Sequence, residues 1–164
     1  MNNKINIFTL VSAIILFAAC QSNPKSSDSN NQQHVSVENQ QKTDIIFSIA
    51  KNYFVKNTVN ILDNPKIETS EKFNDIFGMA TTMGNEGKPT EIDFTKQYVI
   101  AVILPETDLQ TTVEPVSLQK NEAGEIILTY KSMVGQKQSF TTRPNFAIIV
   151  DKTENGRITL NEIK

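Results

Sequence analysis

The sequence has few of the residues from which many catalytic and metal sites are built. Among its 164 residues are one cysteine, one histidine and no tryptophan. A single cysteine excludes an internal disulfide framework. The histidine, His34, lies in a polar stretch rich in Ser, Asn and Gln, where no scaffold would position it as a base or a ligand. We therefore expect neither a Ser-His triad nor a histidine metal site.

An excess of one charge sign is also missing, and so is a long apolar run. The chain carries 16 basic and 18 acidic residues, for a formal net charge of -2. No run of like charges marks a nucleic-acid surface, so we expect no nucleic-acid partner. The apolar stretch Leu10–Ala19 is shorter than the ~20 residues that a helix needs to span a bilayer.

Residues 1–20 carry the strongest signal in the sequence. Lys4 supplies a positive charge, Leu10–Ala19 supplies a short apolar region, and two alanines come directly before Cys20. This pattern resembles a bacterial lipoprotein signal peptide. The resemblance implies that residues 1–19 are removed, that Cys20 carries palmitate or related acyl chains, and that the protein is anchored to the lipid bilayer. The short apolar region disfavours the alternatives, a signal anchor and a plain secretory peptide.

This resemblance leads to two expectations about location and chemistry. Several acyl chains on one residue hold a protein in a bilayer far more firmly than one chain does. Gln21 follows the cysteine, in place of the Asp that retains many lipoproteins of Gram-negative bacteria at the inner membrane, so we expect the outer membrane. A lipidated Cys20 also leaves no free thiol for a nucleophile or a zinc site.

Residues 20–43 are predicted to form a disordered tether, and residues 44–164 a single globular domain. Between Gln21 and Asp44 the chain is rich in Ser, Asn and Gln, and its only aliphatic residues are Val35 and Val37. Such a segment cannot bury enough apolar surface to offset the entropy lost on ordering. The remainder is long enough to enclose a hydrophobic core of its own.

The run QYVIAVIL, Gln97–Leu104, is the centre of the predicted domain. It is too rich in β-branched residues for a comfortable helix, so we expect a strand buried on both faces. Turn residues separate four further candidate strands, which are Val113–Lys120, Glu125–Lys131, Phe146–Val150 and Arg157–Ile163. Asn155-Gly156 predicts a tight hairpin before the last of them, and Pro115 predicts an edge or a bulge.

One helix is expected to pack on this sheet. Ser70 is a favourable N-cap, and Gly78 is placed to end the helix. Between them lie apolar residues at the spacing of one helical face, Phe73, Ile76 and Phe77. This aromatic stripe favours a core-facing helix over a ligand site, because a core-facing helix requires that spacing.

The segment Ile45–Val59 fits two structures. Alternation of apolar residues predicts a strand, whereas helical spacing with Thr43 as a cap predicts a helix. The favoured combination is a helix over Asp44–Lys51 and then a strand over Tyr53–Lys56, because Tyr, Phe and Val favour strands. The predicted fold class is therefore α+β: a single domain with a mostly antiparallel sheet of five or six strands and one or two short helices packed on it.

The segment Gly78–Pro89 is predicted to be a long loop, and it is the first candidate for a binding surface. It contains three glycines, and loops of this length in small domains are often functional. The candidate partner-binding residues are Met79, Thr81, Thr82, Met83 and Arg143. Packing of the two methionines under the loop as gap fillers is the favoured interpretation, and an adaptable apolar contact with a partner is the alternative.

Two other functions are weighed from the residue pattern. Asp151–Glu162 resembles an EF-hand calcium loop in the spacing of its oxygen-bearing residues and of Gly156. The β-branched segment before it favours an ordinary hairpin, so no metal site and no cofactor are predicted. A carboxylate-based hydrolase would use acids near strand ends, which are Asp93, Glu106, Asp108 and Asp151. No pair of them is distinguished by spacing, so we assign no catalytic residue and expect no enzyme.

Two family resemblances bear on function. The segments YFVKN, KFNDIFG, PTEIDFTKQYVIAVILPETD and RPNFAIIVDK, together with the lipoprotein signal, resemble a group of small lipoproteins of Bacteroidetes-type bacteria. A similarity to the PrcB-type subunit of bacterial surface protease complexes rests on residues before two apolar strands, Pro89, Ile92, Asp93, Phe94 and Arg143-Pro144. We therefore expect a non-enzymatic, membrane-anchored interaction module of the cell envelope, acting as an accessory subunit or an inhibitor of an envelope protease.

Overall fold

Two four-stranded sheets and a short two-stranded ribbon contain the strands of the described chain. The structure, a computed structural model, describes residues 41–81, 83–84 and 87–164. The predicted signal peptide, Cys20 and most of the predicted tether lie outside the described residues. Within those ranges no helix is long and apolar enough to span a membrane.

Ten strands and one helix are present in the described part of the chain. The strands are β1 (Thr43–Asp44), β2 (Ser48–Ile49), β3 (Tyr53–Val55), β4 (Lys66–Ile67), β5 (Phe77–Met79), β6 (Gln97–Ile103), β7 (Thr107–Lys120), β8 (Ile126–Thr142), β9 (Asn145–Asp151) and β10 (Ile158–Ile163), and the helix is α1 (Ser70–Ile76).

The predicted α+β fold is wrong. Strands account for 52% of the described residues and the helix for 6%. The strands form several sheets, with the orders β1-β7-β8-β10, β2-β9-β6-β4 and β3-β5, instead of one sheet of five or six strands that carries helices. The prediction failed because alternation of apolar residues shows which face of a strand is buried but not which strands share a sheet.

One long hairpin, bent in the middle, forms the frame of both four-stranded sheets. β7 and β8 pair antiparallel on either side of the turn 121–125. β6 pairs antiparallel with β9 from Gln97↔Asp151 to Ile103↔Asn145. The chain leaves one sheet and enters the other at 104–106 and again at 143–144. The two halves of the hairpin therefore lie in different sheets, with their inner faces packed together.

The two sheets enclose the first hydrophobic core. Its buried members on β6 to β9 are Tyr98, Ile100, Val102, Leu118, Ile126, Leu128, Tyr130, Phe146, Ile148 and Val150. The alternate residues of β6 and β9 lie in a second core with α1, whose members include Val99, Ala101, Ala147, Ile149, Phe73 and Ile76. Because side chains alternate across a strand, β6 is buried on both faces, and the prediction for this strand is confirmed.

The predicted helix over Asp44–Lys51 is wrong, whereas the strand after it is confirmed as β3. β1 pairs with the end of β7 in one sheet, and β2 pairs with β9 in the other. Between them Ile45 is 7% exposed, and its N–H donates to the Leu118 carbonyl oxygen at 2.8 Å. The strand alternative prevails because this segment covers one edge of each sheet, and those edges offer unpaired backbone groups.

The helix α1 exists where the sequence predicts it, but its ends differ. Thr69 is the N-cap instead of Ser70: its backbone is extended, and its side chain accepts a hydrogen bond from the Lys72 N–H at 3.2 Å. Gly78 does not end the helix, because the chain passes directly from α1 into β5 at Phe77. The aromatic stripe faces the core, as predicted, with Phe73, Ile76 and Phe77 buried.

The predicted hairpin between the last two strands is wrong. β10 pairs parallel with β8, from Ile158↔Ile126 to Ile163↔Lys131, so the segment 152–157 carries the chain from one sheet to the other. Gly156 is required at this crossing, because a Cβ there would lie 2.2 Å from the Gly124 carbonyl oxygen. The Asn-Gly pair therefore marks a close backbone approach.

Candidate functional site

A groove of about 670 Å³ opens beside α1, and we call it the α1 groove. Its walls are α1, the end of β5 and the segment 88–94 that precedes β6. Apolar side chains line it, and these are Tyr53, Phe73, Met79, Pro89, Ile92 and Phe94. Its polar lining residues are Ser70, Asn74, Thr81, Lys88, Glu91 and Asp93.

Aromatic packing fixes one wall of the α1 groove. The Phe73 ring centroid lies 4.9 Å from the centroids of Tyr53 and Phe77, and 5.7 Å from the centroid of Phe94. The Tyr53 ring meets Phe73 edge-on, at 86°, which is a favoured geometry for two aromatic quadrupoles. Because Phe73 and Phe77 also belong to the second core, this wall is continuous with the packed interior.

Hydrogen bonds from residues 51–53 hold the start of the 88–94 segment. The Asn52 side-chain amide donates to the Lys88 carbonyl oxygen at 2.8 Å, and the Tyr53 hydroxyl donates to the Thr90 carbonyl oxygen at 2.8 Å. The backbone N–H of residue 51 donates to Thr90 Oγ1 at 3.0 Å. Asn52 has a φ of 62°, a left-handed conformation that Asn adopts more readily than most residues. These contacts fix the position of the segment along the groove.

The polar rim of the α1 groove carries more negative than positive charge, with Glu91 and Asp93 against Lys88. Burial, followed by the nearby Glu91 carboxylate, raises the pKa of Tyr53, so its hydroxyl stays protonated at neutral pH. Hydrogen bonds from the Thr95 hydroxyl and N–H lower the pKa of Asp93, so this carboxyl is ionised at neutral pH. The rim therefore offers fixed negative charge beside an apolar floor.

The structure places two of the predicted partner-binding residues in the α1 groove. Met79 pairs with Tyr53 across the β3-β5 ribbon and is 66% exposed, and Thr81 also lines the groove. Met83 is fully exposed. Thr82 lies outside the described residues. Both methionine side chains are therefore directed to solvent, and neither fills a gap under the loop.

Arg143 lies elsewhere, at the bend between β8 and β9. Its side chain is 18% exposed, and its Nη2 lies 3.5 Å from the Glu106 carboxylate. Its Nη1 donates to the Val59 carbonyl oxygen. Across the same bend the Leu104 N–H donates to the Pro144 carbonyl oxygen at 2.9 Å. Arg143 thus stabilises the bend of the hairpin through its contacts with Glu106 and Val59. It lines a different depression from Met79 and Thr81.

The four carboxylates weighed for hydrolysis each have a structural partner. Asp93 and Asp151 cap turns: each accepts a hydrogen bond from the N–H of the threonine two positions later, and such bonds lower the pKa of both acids. Glu106 and Asp108 form ion pairs with basic side chains at the bend and along the β7-β8 ribbon. A general acid needs a raised pKa, which these turn caps oppose.

The first and last residues of the calcium alternative, Asp151 and Glu162, lie in two different sheets. Asp151 ends β9, where it pairs with Gln97. Glu162 lies in β10, and its carboxylate accepts a hydrogen bond from the Ser132 hydroxyl. Among the described residues no group of three or more His, Cys, Asp or Glu side chains could hold a metal ion.

Sequence patterns alone do not identify most of the α1 groove. It forms where β3, α1, β5 and the 88–94 segment meet, and short-range patterns do not show which segments meet. The local signal that the sequence does give is the glycine-containing segment Gly78–Pro89, which includes Met79 and Thr81. No protein-family model, curated protein or solved structure matches the chain. The resemblances noted from the sequence stay predictions.

Proposed function

We propose that the protein is a membrane-anchored lipoprotein of the cell envelope, which binds a protein partner through the α1 groove and catalyses no reaction. The lipid anchor is proposed from residues 1–20, and the outer membrane from Gln21. The proposed partner is an envelope protease, for which the protein acts as an accessory subunit or an inhibitor. The binding proposal rests on one observation, the apolar α1 groove with Met79 exposed at its edge.

The side chains of the α1 groove suit a protein partner. Aromatic residues and methionine are enriched in protein interfaces, because they provide large contact areas and methionine adapts its shape. Met79 is 66% exposed although it lies in a paired strand. The aromatic wall of the groove is held by the second core, so the partner meets a surface that is already formed.

The rim charges indicate which partner residues would fit. Glu91 and Asp93 alternate with Ile92 and Phe94, so carboxylates stand beside apolar side chains. An extended segment with an apolar residue next to Lys or Arg would fill the floor and meet the carboxylates. Exposed ion pairs contribute only about 0.2–1 kcal/mol each. We therefore expect the apolar contacts to supply most of the affinity and the charges to set the orientation.

Site-specific photo-crosslinking tests this proposal with a matched control. A benzoylphenylalanine replaces Thr81 or Met83 in the full-length protein, and it replaces Met133 in the control, since Met133 is also exposed but lies on β8. We expect one identified protease to be captured from envelope preparations at Thr81, which lines the groove, and at Met83, two residues further along the chain, and not at Met133. Capture of the same proteins at all three positions would contradict a role of the groove.

A second variant separates groove binding from the assignment of the partner. Met79→Lys should lower capture at Thr81 about tenfold, the equivalent of about 1.4 kcal/mol, because it places a charge over the apolar floor. Its melting temperature should stay that of the parent protein, since the Met79 side chain is largely exposed. Groove-dependent capture of a protein that is not a protease would keep the binding proposal and overturn the protease assignment.

A further inference from the structure

Asn155-Gly156 lies in the segment 152–157, where the chain crosses from one sheet to the other. It is the single Asn-Gly pair in the sequence. Asparagine before glycine is prone to form a cyclic imide, because glycine has no side chain to keep its nitrogen away from the preceding side-chain amide. The fold requires this glycine, since a Cβ at position 156 would lie 2.2 Å from the Gly124 carbonyl oxygen. The contact that positions the crossing therefore also retains a reactive pair.

The side-chain oxygen of Asn155 accepts two hydrogen bonds. The Gly156 N–H donates to Oδ1 at 2.9 Å, and the Lys66 ammonium donates to the same atom at 3.0 Å. In the described part of the chain the Gly156 N–H donates to no backbone carbonyl oxygen, so no strand pairing holds this nitrogen away from the amide. A nucleophile, a carbonyl group and a positive charge are thus adjacent, which lowers the entropic cost of a reaction between them.

Three interactions hold the Lys66 ammonium in place. The Lys66 backbone belongs to β4, which pairs with β6. Its Nζ lies 2.9 Å from the Glu68 carboxylate and 4.7 Å from the centroid of the Tyr98 ring. The Lys66 side chain is only 14% exposed. A charge that is already oriented stabilises negative charge on a reacting oxygen better than a mobile charge does, because no reorganisation is needed.

We propose that Asn155 is converted spontaneously to isoaspartate and aspartate, and that Lys66 promotes this reaction. The Gly156 nitrogen gives up its proton and forms a bond to the Asn155 Cγ. The electron pair of the C=O bond moves onto Oδ1, where Lys66 stabilises the negative charge. When the carbonyl group forms again, the Cγ–Nδ2 bond breaks, and Nδ2 leaves as ammonia with a proton that replaces the one lost by Gly156. Water then opens the imide: cleavage at Cγ gives aspartate, and cleavage at the backbone carbonyl carbon gives isoaspartate.

Isoaspartate changes the crossing itself, because the main chain then runs through the former side chain and gains one CH₂ group before Gly156. Gly156 packs on the Gly124 carbonyl oxygen, and the Ile126 N–H donates to the Arg157 carbonyl oxygen at 2.8 Å. β10 begins at the residue that follows. An extra carbon at this point displaces both contacts, so the reaction weakens the pairing of β10 with β8. No residue that lines the α1 groove takes part in it.

Ageing of the full-length protein tests the proposal. The protein is incubated in detergent at mildly alkaline pH, and the loss of Asn155 is followed by peptide mapping with mass spectrometry and by isoaspartate-specific enzymatic methylation. We expect isoaspartate and aspartate at position 155, whereas Asn161, which precedes Glu162, should stay an asparagine. Lys66→Met should slow the reaction about tenfold, and Lys66→Arg, which keeps the positive charge, should retain most of the rate.

Two controls separate the effect of Lys66 at Oδ1 from general effects. Lys72→Met makes the same change in net charge on α1 and should leave the rate unchanged. In denaturant, the parent protein and Lys66→Met should react at the same rate, because the ammonium is no longer held at Oδ1. Equal or faster loss of Asn155 in folded Lys66→Met overturns the role of Lys66, and so does a difference that persists in denaturant. An unchanged Asn155 in the aged parent protein overturns the whole proposal.

Hydrogen exchange tests the consequence for β10. The fraction that carries isoaspartate is separated from unreacted protein by the negative charge that it gains. The amides of Ile158–Ile163 should exchange faster in this fraction, while the amides of Gln97–Ile103 in β6 should keep their protection. Equal exchange of β10 in the two fractions would contradict the weakened pairing.

Discussion

Replacement of Tyr98 by phenylalanine should stabilise the protein. Tyr98 is 1% exposed in the first core, and its hydroxyl is buried without a hydrogen-bond partner among the described residues. A buried polar group without a partner costs about 1–3 kcal/mol. Phenylalanine keeps the ring and its contact with the Lys66 ammonium, 4.7 Å from the centroid. We expect Tyr98→Phe to raise the free energy of unfolding by about 1 kcal/mol, because the small void left by the oxygen offsets part of the gain.

The same hydroxyl should make the stability of the parent protein fall at high pH. Burial, followed by the carboxylates of Glu154 and Glu68, raises the pKa of Tyr98 from 10.0 to about 12. A pKa that is higher in the folded state gives stability that is present below the unfolded pKa and is lost as pH rises through the folded one. From about pH 9 to about pH 11 the loss is about 1.3 kcal/mol, and Tyr98→Phe does not suffer it.

Urea unfolding followed by circular dichroism measures both effects. Tyr53→Phe is the matched control, because the Tyr53 hydroxyl donates to the Thr90 carbonyl oxygen at 2.8 Å and its loss should destabilise by about 1 kcal/mol. A lower free energy of unfolding for Tyr98→Phe at neutral pH would mean that this hydroxyl is hydrogen-bonded in the folded protein, and it would refute the reasoning. A difference between the variant and the parent that stays constant from neutral to alkaline pH would contradict the raised pKa.

Two further substitutions test the local structure, each with a neighbour as control. Thr69→Ala should lower the free energy of unfolding by about 1 kcal/mol, because it removes the N-cap of α1. Ser70→Ala should lower it by less than about 0.5 kcal/mol. Equal losses for the two variants in urea unfolding would contradict the assignment of Thr69 as the cap. Arg143→Met should cost about 2–3 kcal/mol because it leaves the Val59 carbonyl oxygen without its donor. Lys137→Met removes an exposed ion pair and should lower the free energy of unfolding by less than about 1 kcal/mol. Similar melting temperatures for the two variants would contradict a stabilising role of Arg143 at the bend.

Sequence patterns predict the strands of this protein better than its sheets. The runs that become β6 and β9 are recognisable because each is apolar on both faces and bounded by turn residues. Their membership of separate sheets from β7 and β8 is not recognisable. Pro105 and Pro144 mark the bends at 104–106 and 143–144 as breaks between strands, but a proline does not show that the chain enters a different sheet there. β10 shows the same limit: its residues were predictable, whereas its parallel partner depends on the contact between Gly156 and the Gly124 carbonyl oxygen.

The candidate site could be predicted only in part, and for a related reason. Met79 and Thr81 were predictable because they lie in a glycine-containing segment that is long for a small domain. Tyr53 and Phe94 were not, because each fits a strand or core position by its own neighbours. The groove exists only once the β3-β5 ribbon and the 88–94 segment lie on either side of Phe73, and that arrangement is set by packing.

The bent hairpin also shapes the order in which distant parts of the chain can meet. Gln97 and Asp151 are far apart in sequence, and joining them directly would carry the entropic cost of closing a long loop. Once the turn 121–125 has formed, however, each new pair adjoins one that exists already, along β7 and β8 and then past the bend along β6 and β9. Strand pairing can therefore propagate from one turn, so the distant pairs form at an entropic cost closer to that of local contacts. β1, β2 and β4 are each held by only two residue pairs, so we expect these strands to join last and to fray first.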